Sequence, residues 1–259
     1  MIPLKIQESG KGPNLVLLHG WAMNNLVWQP WLAELEKSYR VIRVELPGHG
    51  NSQYTKQWNL EELLSSMALR LPSCSAVLGW SLGGMVGLAY ASHYPNRVSR
   101  LVMLASSAKF VRSEDWPCAQ PEETVDFFSK GLIKNPTATF KRFIRLQTHG
   151  AEPSREINEF LKSVVKKNGE RSIEGMLAGL SILRQDDLRA LLCRLKCPMM
   201  MVLGEKDSLV PLEAGAESAQ INPDIHLSVI DGAAHVPFLS HPREVLQGLG
   251  QFIKEGCVA

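Results

Sequence analysis

The chain has 259 residues, 45% hydrophobic and 21% charged, which suffices for one full-sized core and favours a single domain carrying an insertion. Its 28 Lys and Arg against 26 Asp and Glu leave a formal charge of +2, a poor match to a dedicated nucleic-acid binder. No run of 18 apolar residues occurs, so no membrane-spanning helix is expected. In chain order, the first eight residues, Met1 to Glu8, carry neither a basic start nor an apolar run, and a secretory leader is not expected. Leu15 to Leu18 is then a short apolar run that stops at His19-Gly20. Arg40 to Val44 leads into Leu46-Pro47-Gly48-His49-Gly50, and Ala76 to Leu78 ends in Gly79. Leu101 to Leu104 stops at Ala105-Ser106-Ser107, Met199 to Leu203 at Gly204, and Leu227 to Ile230 at Asp231-Gly232. Such runs, apolar on both faces and ended by small or turn residues, predict strands covered by helices on both sides. Their alternation with helical stretches predicts an α/β fold with a mostly parallel, doubly wound sheet. In such sheets the chemistry lies beyond the carboxyl ends of the strands.

The alternation breaks between residues 109 and 190. Phe140, Phe143, Ile144 and Gln147 recur at helical spacing, and Ile157, Phe160, Leu161, Val164 and Val165 form a second apolar stripe. Pro136 and Pro153 stand near expected helix starts. The expected organisation is a core of residues 1–108 and 191–259 with a helical lid, 109–190, inserted in it. The alternative is a packing layer with no part in substrate binding.

Gly79-Trp80-Ser81-Leu82-Gly83 matches G-x-S-x-G, with a strand before it and a helical pattern from Met85 after it. That setting predicts a nucleophile elbow, a tight strand-to-helix turn that exposes the Ser81 hydroxyl. The competing reading is a glycine-rich helix entry with an ordinary capping serine. A serine hydroxyl needs a base. Among seven histidines, His235 sits in a small-residue loop past the last predicted strand; His19, His49, His93, His149, His226 and His241 fit other positions. Asp207, just past the Met199–Leu203 strand, is the favoured acid, with Glu205 and Asp231 as rivals. The order Ser81, Asp207, His235 is that of α/β-hydrolases. The backbone N–H groups of Leu82 and Trp21 are the expected oxyanion donors.

Further motifs extend the pattern: Leu17-Leu18-His19-Gly20-Trp21, the elbow with Gly84, Ala105-Ser106-Ser107, Asp115-Trp116-Pro117, Leu146-Gln147-Thr148 with Gly150, Asp187-Leu188-Arg189, Asp207 with Leu209-Val210-Pro211, and Ala233-Ala234-His235-Val236-Pro237-Phe238. On these residues the sequence resembles α/β-hydrolases over nearly its whole length. Within them it is similar to the carboxylesterases that cut the methyl ester of pimeloyl-acyl carrier protein in biotin synthesis. The resemblance implies Ser81, Asp207 and His235 as the triad. It also implies substrate contacts from Trp21, Leu82, Phe143, Ile144, Arg145, Leu146 and Gln147, and no cofactor or metal. It implies an acyl carrier protein as partner, docked through lid bases. Arg142 and Arg155 fit that pattern, whereas Ala138 and Glu159 stand where bases would be expected; the expected docking set is Lys141, Arg142, Arg145, Arg155 and Lys162. From residue 130 to 171 ten bases face four acids, a local charge of +6 within a chain of +2. Acyl carrier proteins are acidic, so a basic patch there would steer one in. Five cysteines, an odd number in a long chain, read as reduced thiols, and Cys193 and Cys197 lack a second pair that would complete a zinc site. A cytoplasmic monomer is expected. Two other functions remain open: a general short-chain esterase, and a non-catalytic binding protein on the hydrolase fold.

Overall fold

The computed structural model describes residues 1–52, 54, 56–152, 154–167 and 172–254. Pro153, Glu170, Arg171 and Cys257, used above for a helix start, the lid charge and the thiol count, lie outside the described residues.

In chain order the elements are β1 (Lys5–Ser9), β2 (Asn14–Leu18), α1 (Gln29–Leu35), β3 (Arg40–Glu45), α2 (Leu60–Arg70), β4 (Ser75–Trp80), α3 (Leu82–His93) and β5 (Val98–Leu104). Four longer helices follow: α4 (Glu122–Lys134), α5 (Pro136–Thr148), α6 (Ser154–Lys166) and α7 (Ile173–Gln185). The chain closes with α8 (Arg189–Leu192), β6 (Met199–Gly204), α9 (Leu212–Ile221), β7 (His226–Ile230), α10 (Pro237–Ser240) and α11 (Pro242–Lys254).

The strands form one seven-stranded sheet in the order β1-β3-β2-β4-β5-β6-β7. Only β1 runs antiparallel to its neighbour; the pairs β3/β2, β2/β4, β4/β5, β5/β6 and β6/β7 are all parallel. β4 lies at the centre, with every residue from Ser75 to Trp80 buried. That is why its leucine- and valine-rich run shows no period-two alternation.

The sequence reading differs from the fold at both sheet edges. β1 was not expected, because Lys5-Ile6-Gln7-Glu8-Ser9 offers one apolar residue; it forms as an antiparallel edge held by the backbone ladder to β3. β7 was expected to be covered on both faces, yet Val229 is 48% exposed. The reason is its position at the other edge, where only β6 pairs with it.

α3 runs behind the sheet centre and is buried from Leu82 to Ala91. Apolar residues surround it on all sides, as suits a helix enclosed by other elements. The α4–α7 excursion leaves the core after β5 and packs α4 on α5 and α7, and α5 on α6. α5 starts at Pro136, with the Asn135 side chain accepting from the Ala138 N–H. A missing proline N–H costs nothing in this first turn. Val111 pairs with Gln120 and Ser113 with Trp116, so the excursion opens with a hook before its first helix. Its two ends meet: the Leu188 N–H donates to the Ala108 carbonyl at 2.9 Å.

Candidate active site

Ser81 joins β4 to α3 with φ 55° and ψ −120°. Non-glycine residues avoid this region, and holding one there costs on the order of 1–3 kcal/mol. The turn is enforced by its glycines. A Cβ on Gly79 would lie 2.1 Å from the Gly83 carbonyl oxygen, and one on Gly83 would lie 2.3 Å from that of Leu18. The Ser81 N–H donates to the Leu104 carbonyl at 3.0 Å, which anchors the elbow to β5. Its side chain makes no capping bond to α3, unlike an ordinary capping serine. The hydroxyl is thus left at a helix N-terminus, where free N–H groups favour developing negative charge.

His235 and Asp207 come from two loops, after β7 and after β6. His235 Nδ1 and Asp207 Oδ2 are 2.8 Å apart. The other carboxylate oxygen of Asp207 accepts from the N–H groups of Leu209 at 2.8 Å and Val210 at 3.0 Å. The carboxylate is therefore oriented by its own loop before it meets the ring. With Asp207 accepting, Nδ1 carries the proton and Nε2 is the basic nitrogen. Nε2 is buried and has no hydrogen-bond partner among the described residues. The backbone of His235 is held at both ends: its N–H donates to the Gln147 carbonyl at 3.1 Å. Its own carbonyl accepts from Trp80 Nε1 at 2.8 Å.

The rivals stand elsewhere. Glu205 accepts from the Gly232 N–H at 2.9 Å, and Asp231 is exposed. His93 bonds the Ala89 carbonyl within α3, and His226 stacks on Phe252 at the far sheet edge. His19, just past β2, and His49, past β3, are fully buried, with ring centres 5.5 Å apart. Burial foremost, then the neighbouring His49, lowers the His19 pKa to about 3, so this ring is neutral.

The loop after β2 reaches the elbow. A Cβ on Gly20 would lie 3.2 Å from that of Ser81, which brings the Gly20–Trp21 backbone against the serine. The Trp21 indole donates to the Met176 carbonyl on α7 at 2.9 Å. Its ring packs edge-on against Phe143, with centroids 4.9 Å apart, and also meets Phe128 and Phe140. Helical geometry divides the 143–147 stretch. Phe143, Ile144 and Gln147 are buried, Leu146 is half-buried and Arg145 is exposed on the outer face. Both polar atoms of the buried Gln147 amide lack partners among the described residues.

Of the expected docking bases, Lys141, Arg142, Arg145 and Arg155 are exposed. Arg142 lies over the Phe127 ring, 4.2 Å from its centre, while Lys162 is 2.6 Å from Glu159. Among the described residues no group of three His, Cys, Asp or Glu could hold a metal ion, and no helix is long and apolar enough to cross a membrane. Sequence reasoning missed the Ser106 hydroxyl, which donates to the Ser81 carbonyl at 2.6 Å. A serine at a strand end gives no signal in sequence that separates it from a turn residue.

A parallel sheet with a strained serine elbow at the end of its central strand and a His–Asp pair past two further strands is the arrangement of an α/β-hydrolase. Residues 13–242 match the family described as alpha/beta hydrolase fold, and the chain belongs to it. Within that family, it is 38% identical over 253 residues to a pimeloyl-acyl-carrier-protein methyl ester esterase of Sodalis glossinidius, covering 97% of this chain and 98% of the relative. It is 36% identical to the Nitrosomonas europaea protein of the same name, covering 94% and 97%. The chain therefore belongs to the family of these methyl ester esterases. An esterase from Exiguobacterium antarcticum shares the fold with a TM-score of 0.89 at 22% identity, covering 97% of this chain and 95% of that one.

Proposed function

We infer that this chain is a serine carboxylesterase that hydrolyses the methyl ester of pimeloyl-acyl carrier protein. The observation that carries the chemistry is the pairing of a strained Ser81 elbow with the 2.8 Å His235–Asp207 contact. In this reading His235 Nε2 takes the Ser81 proton as Oγ adds to the ester carbonyl. The oxyanion is held by the N–H groups of Leu82 and Trp21. The tetrahedral adduct collapses, and His235 returns the proton to the leaving methoxide, giving methanol. A water, deprotonated by His235, then cleaves the acyl-enzyme and releases the free carboxylate and Ser81. Asp207 fixes the tautomer and stabilises the imidazolium throughout.

The α4–α7 layer, residues 109–190, serves as the lid over a core of 1–108 and 191–259. Trp21, Phe143 and Ile144 offer an apolar wall to the methylenes of the acyl chain, and the Gln147 amide offers a polar contact. Lys141, Arg142, Arg145 and Arg155 form the surface for an acidic carrier protein; Lys162, paired with Glu159, contributes less. In this reading the chain is a cytoplasmic monomer; the four described cysteines are free thiols, as a reducing compartment keeps them.

The test compares wild type and Ser81→Ala on the carrier-linked methyl ester and on a p-nitrophenyl ester, with fluorophosphonate labelling. Labelling and turnover confined to wild type are expected. Turnover by Ser81→Ala would overturn the mechanism, and equal kcat/KM on both esters would favour a general short-chain esterase.

A further inference from the structure

We propose that Ser106 and His19 are a matched pair of positioning residues, each gripping the carbonyl end of the peptide unit whose N–H end is one of the two oxyanion donors. The inference rests on the reading of Leu82 and Trp21 as those donors. A trans peptide unit is planar, with its C=O and N–H pointing in opposite directions. Fixing one end therefore aims the other.

The first unit joins Ser81 to Leu82. Its carbonyl accepts the Ser106 hydroxyl at 2.6 Å and the Gly84 N–H at 2.9 Å. The second unit joins Gly20 to Trp21. Its carbonyl is 2.8 Å from His19 Nδ1. The Leu46 N–H donates to His19 Nε2 at 3.1 Å, so Nε2 is the acceptor and the single proton of the neutral ring sits on Nδ1, facing Gly20. Ser106 is 1% exposed and His19 0%, so neither bond is exchanged for water. In such surroundings a carbonyl that accepts a bond also polarises its own N–H, strengthening it as a donor.

The elbow sequence contains a supporting detail. Gly84 lies outside the G-x-S-x-G pattern. A Cβ there would stand 2.4 Å from Ser106 Oγ, so this glycine leaves room for the hydroxyl. The two grips come from the ends of different strands, β5 and β2, and act on different peptide units. Both units hold the one oxyanion beside Ser81, so the two effects are coupled.

The experiment measures kcat and KM on a p-nitrophenyl ester together with Ki for a trifluoromethyl ketone. The ketone adds the serine oxygen and leaves an oxyanion in the same site. Active sites are counted by fluorophosphonate titration. Ser106→Ala is expected to lower kcat about tenfold and raise the ketone Ki by the same factor with KM little changed, a smaller loss than deleting a donor outright. His19→Leu should do likewise, and the double variant should lose more than either single one. His19→Asn, which places an amide N–H where Nδ1 stands, should recover most of the rate. If Ser106→Ala does not fold, Ser106→Cys, a weaker donor of similar size, should show the same proportional rise in Ki. A fall in kcat with an unchanged ketone Ki, a rise in KM alone, or unchanged kinetics would overturn the proposal. Ser81→Ala separates the two failures. If it is active, the serine reading falls and takes this inference with it; if it is inert while kcat and Ki fail to move together, only the positioning role falls.

Discussion

The N–H of His235 donates to the carbonyl of Gln147 at 3.1 Å, so the histidine loop of the core satisfies a carbonyl in the last turn of α5. Such carbonyls have no partner within their own helix. The base and the helix above it are thus ordered together, and loosening α5 should disturb the histidine.

Phe143→Ala tests the acyl wall on the same helix. The ring fills the space between Trp21, at a centroid distance of 4.9 Å, and Phe128, at 5.3 Å. Its removal should cost about 3 kcal/mol in urea unfolding. The loss of kcat/KM should be larger for esters with long acyl chains than for acetyl esters. A uniform loss across chain lengths would remove Phe143 from the acyl wall.

Asp207→Asn should leave the fold intact, because an amide oxygen can still accept from the Leu209 and Val210 N–H groups. The amide nitrogen would then face His235 Nδ1 and drive the ring proton to Nε2, the wrong nitrogen for a base. A fall in kcat of about 10³–10⁴-fold is expected in steady-state assays. A loss below about tenfold would mean that Asp207 does not set the tautomer.

The sheet and the chemistry were legible in the sequence to different depths. The central strands declared themselves, because burial on both faces leaves uninterrupted apolar runs such as Leu15–Leu18 and Met199–Leu203. The edges did not. β1 is held by backbone bonds that side chains do not announce, and β7 keeps an apolar-looking run although Val229 is exposed. Ser81, Asp207 and His235 could be read because each follows a strand. The division of residues 143–147 needed the helix phase: Arg145 turns outward while Phe143 and Gln147 turn inward. The bonds of Ser106 and His19 run to backbone carbonyls and leave no trace in residue spacing.

Acid stability should depend on His19. Its folded pKa of about 3 lies below the ordinary 6.5, so between these values the unfolded chain binds a proton that the folded one does not. Folding stability is therefore complete above pH 6.5 and declines as the pH falls, by about 1.4 kcal/mol per unit from this group. Between pH 6.5 and pH 4.5, wild type should lose roughly 2 to 3 kcal/mol more than His19→Asn in urea titrations. Equal losses would show that His19 takes up its proton in the folded state.

Carrier recognition should be sensitive to salt. Raising ionic strength from about 0.01 to 0.15 M shortens the screening length from about 30 to 8 Å. kcat/KM on the carrier-linked ester should fall while that on a p-nitrophenyl ester holds steady. Reversing Lys141, Arg142 and Arg145 to glutamate should give the same selective loss and flatten the salt dependence. An unchanged carrier-linked rate would move the docking surface elsewhere.

The hydrogen bond between Leu188 and Ala108 closes the α4–α7 excursion at its base. Between these two residues the chain adds no strand to the seven-stranded sheet, yet it grips the core at named points: the Gln147 carbonyl accepts from the His235 N–H and the Met176 carbonyl from Trp21 Nε1. In inheritance such a segment is free to vary only where it leaves the carbonyls of Gln147 and Met176 in place, because His235 and Trp21 hang on them. Chimaeras joined at Ala108 and Leu188 are the natural way to exploit it.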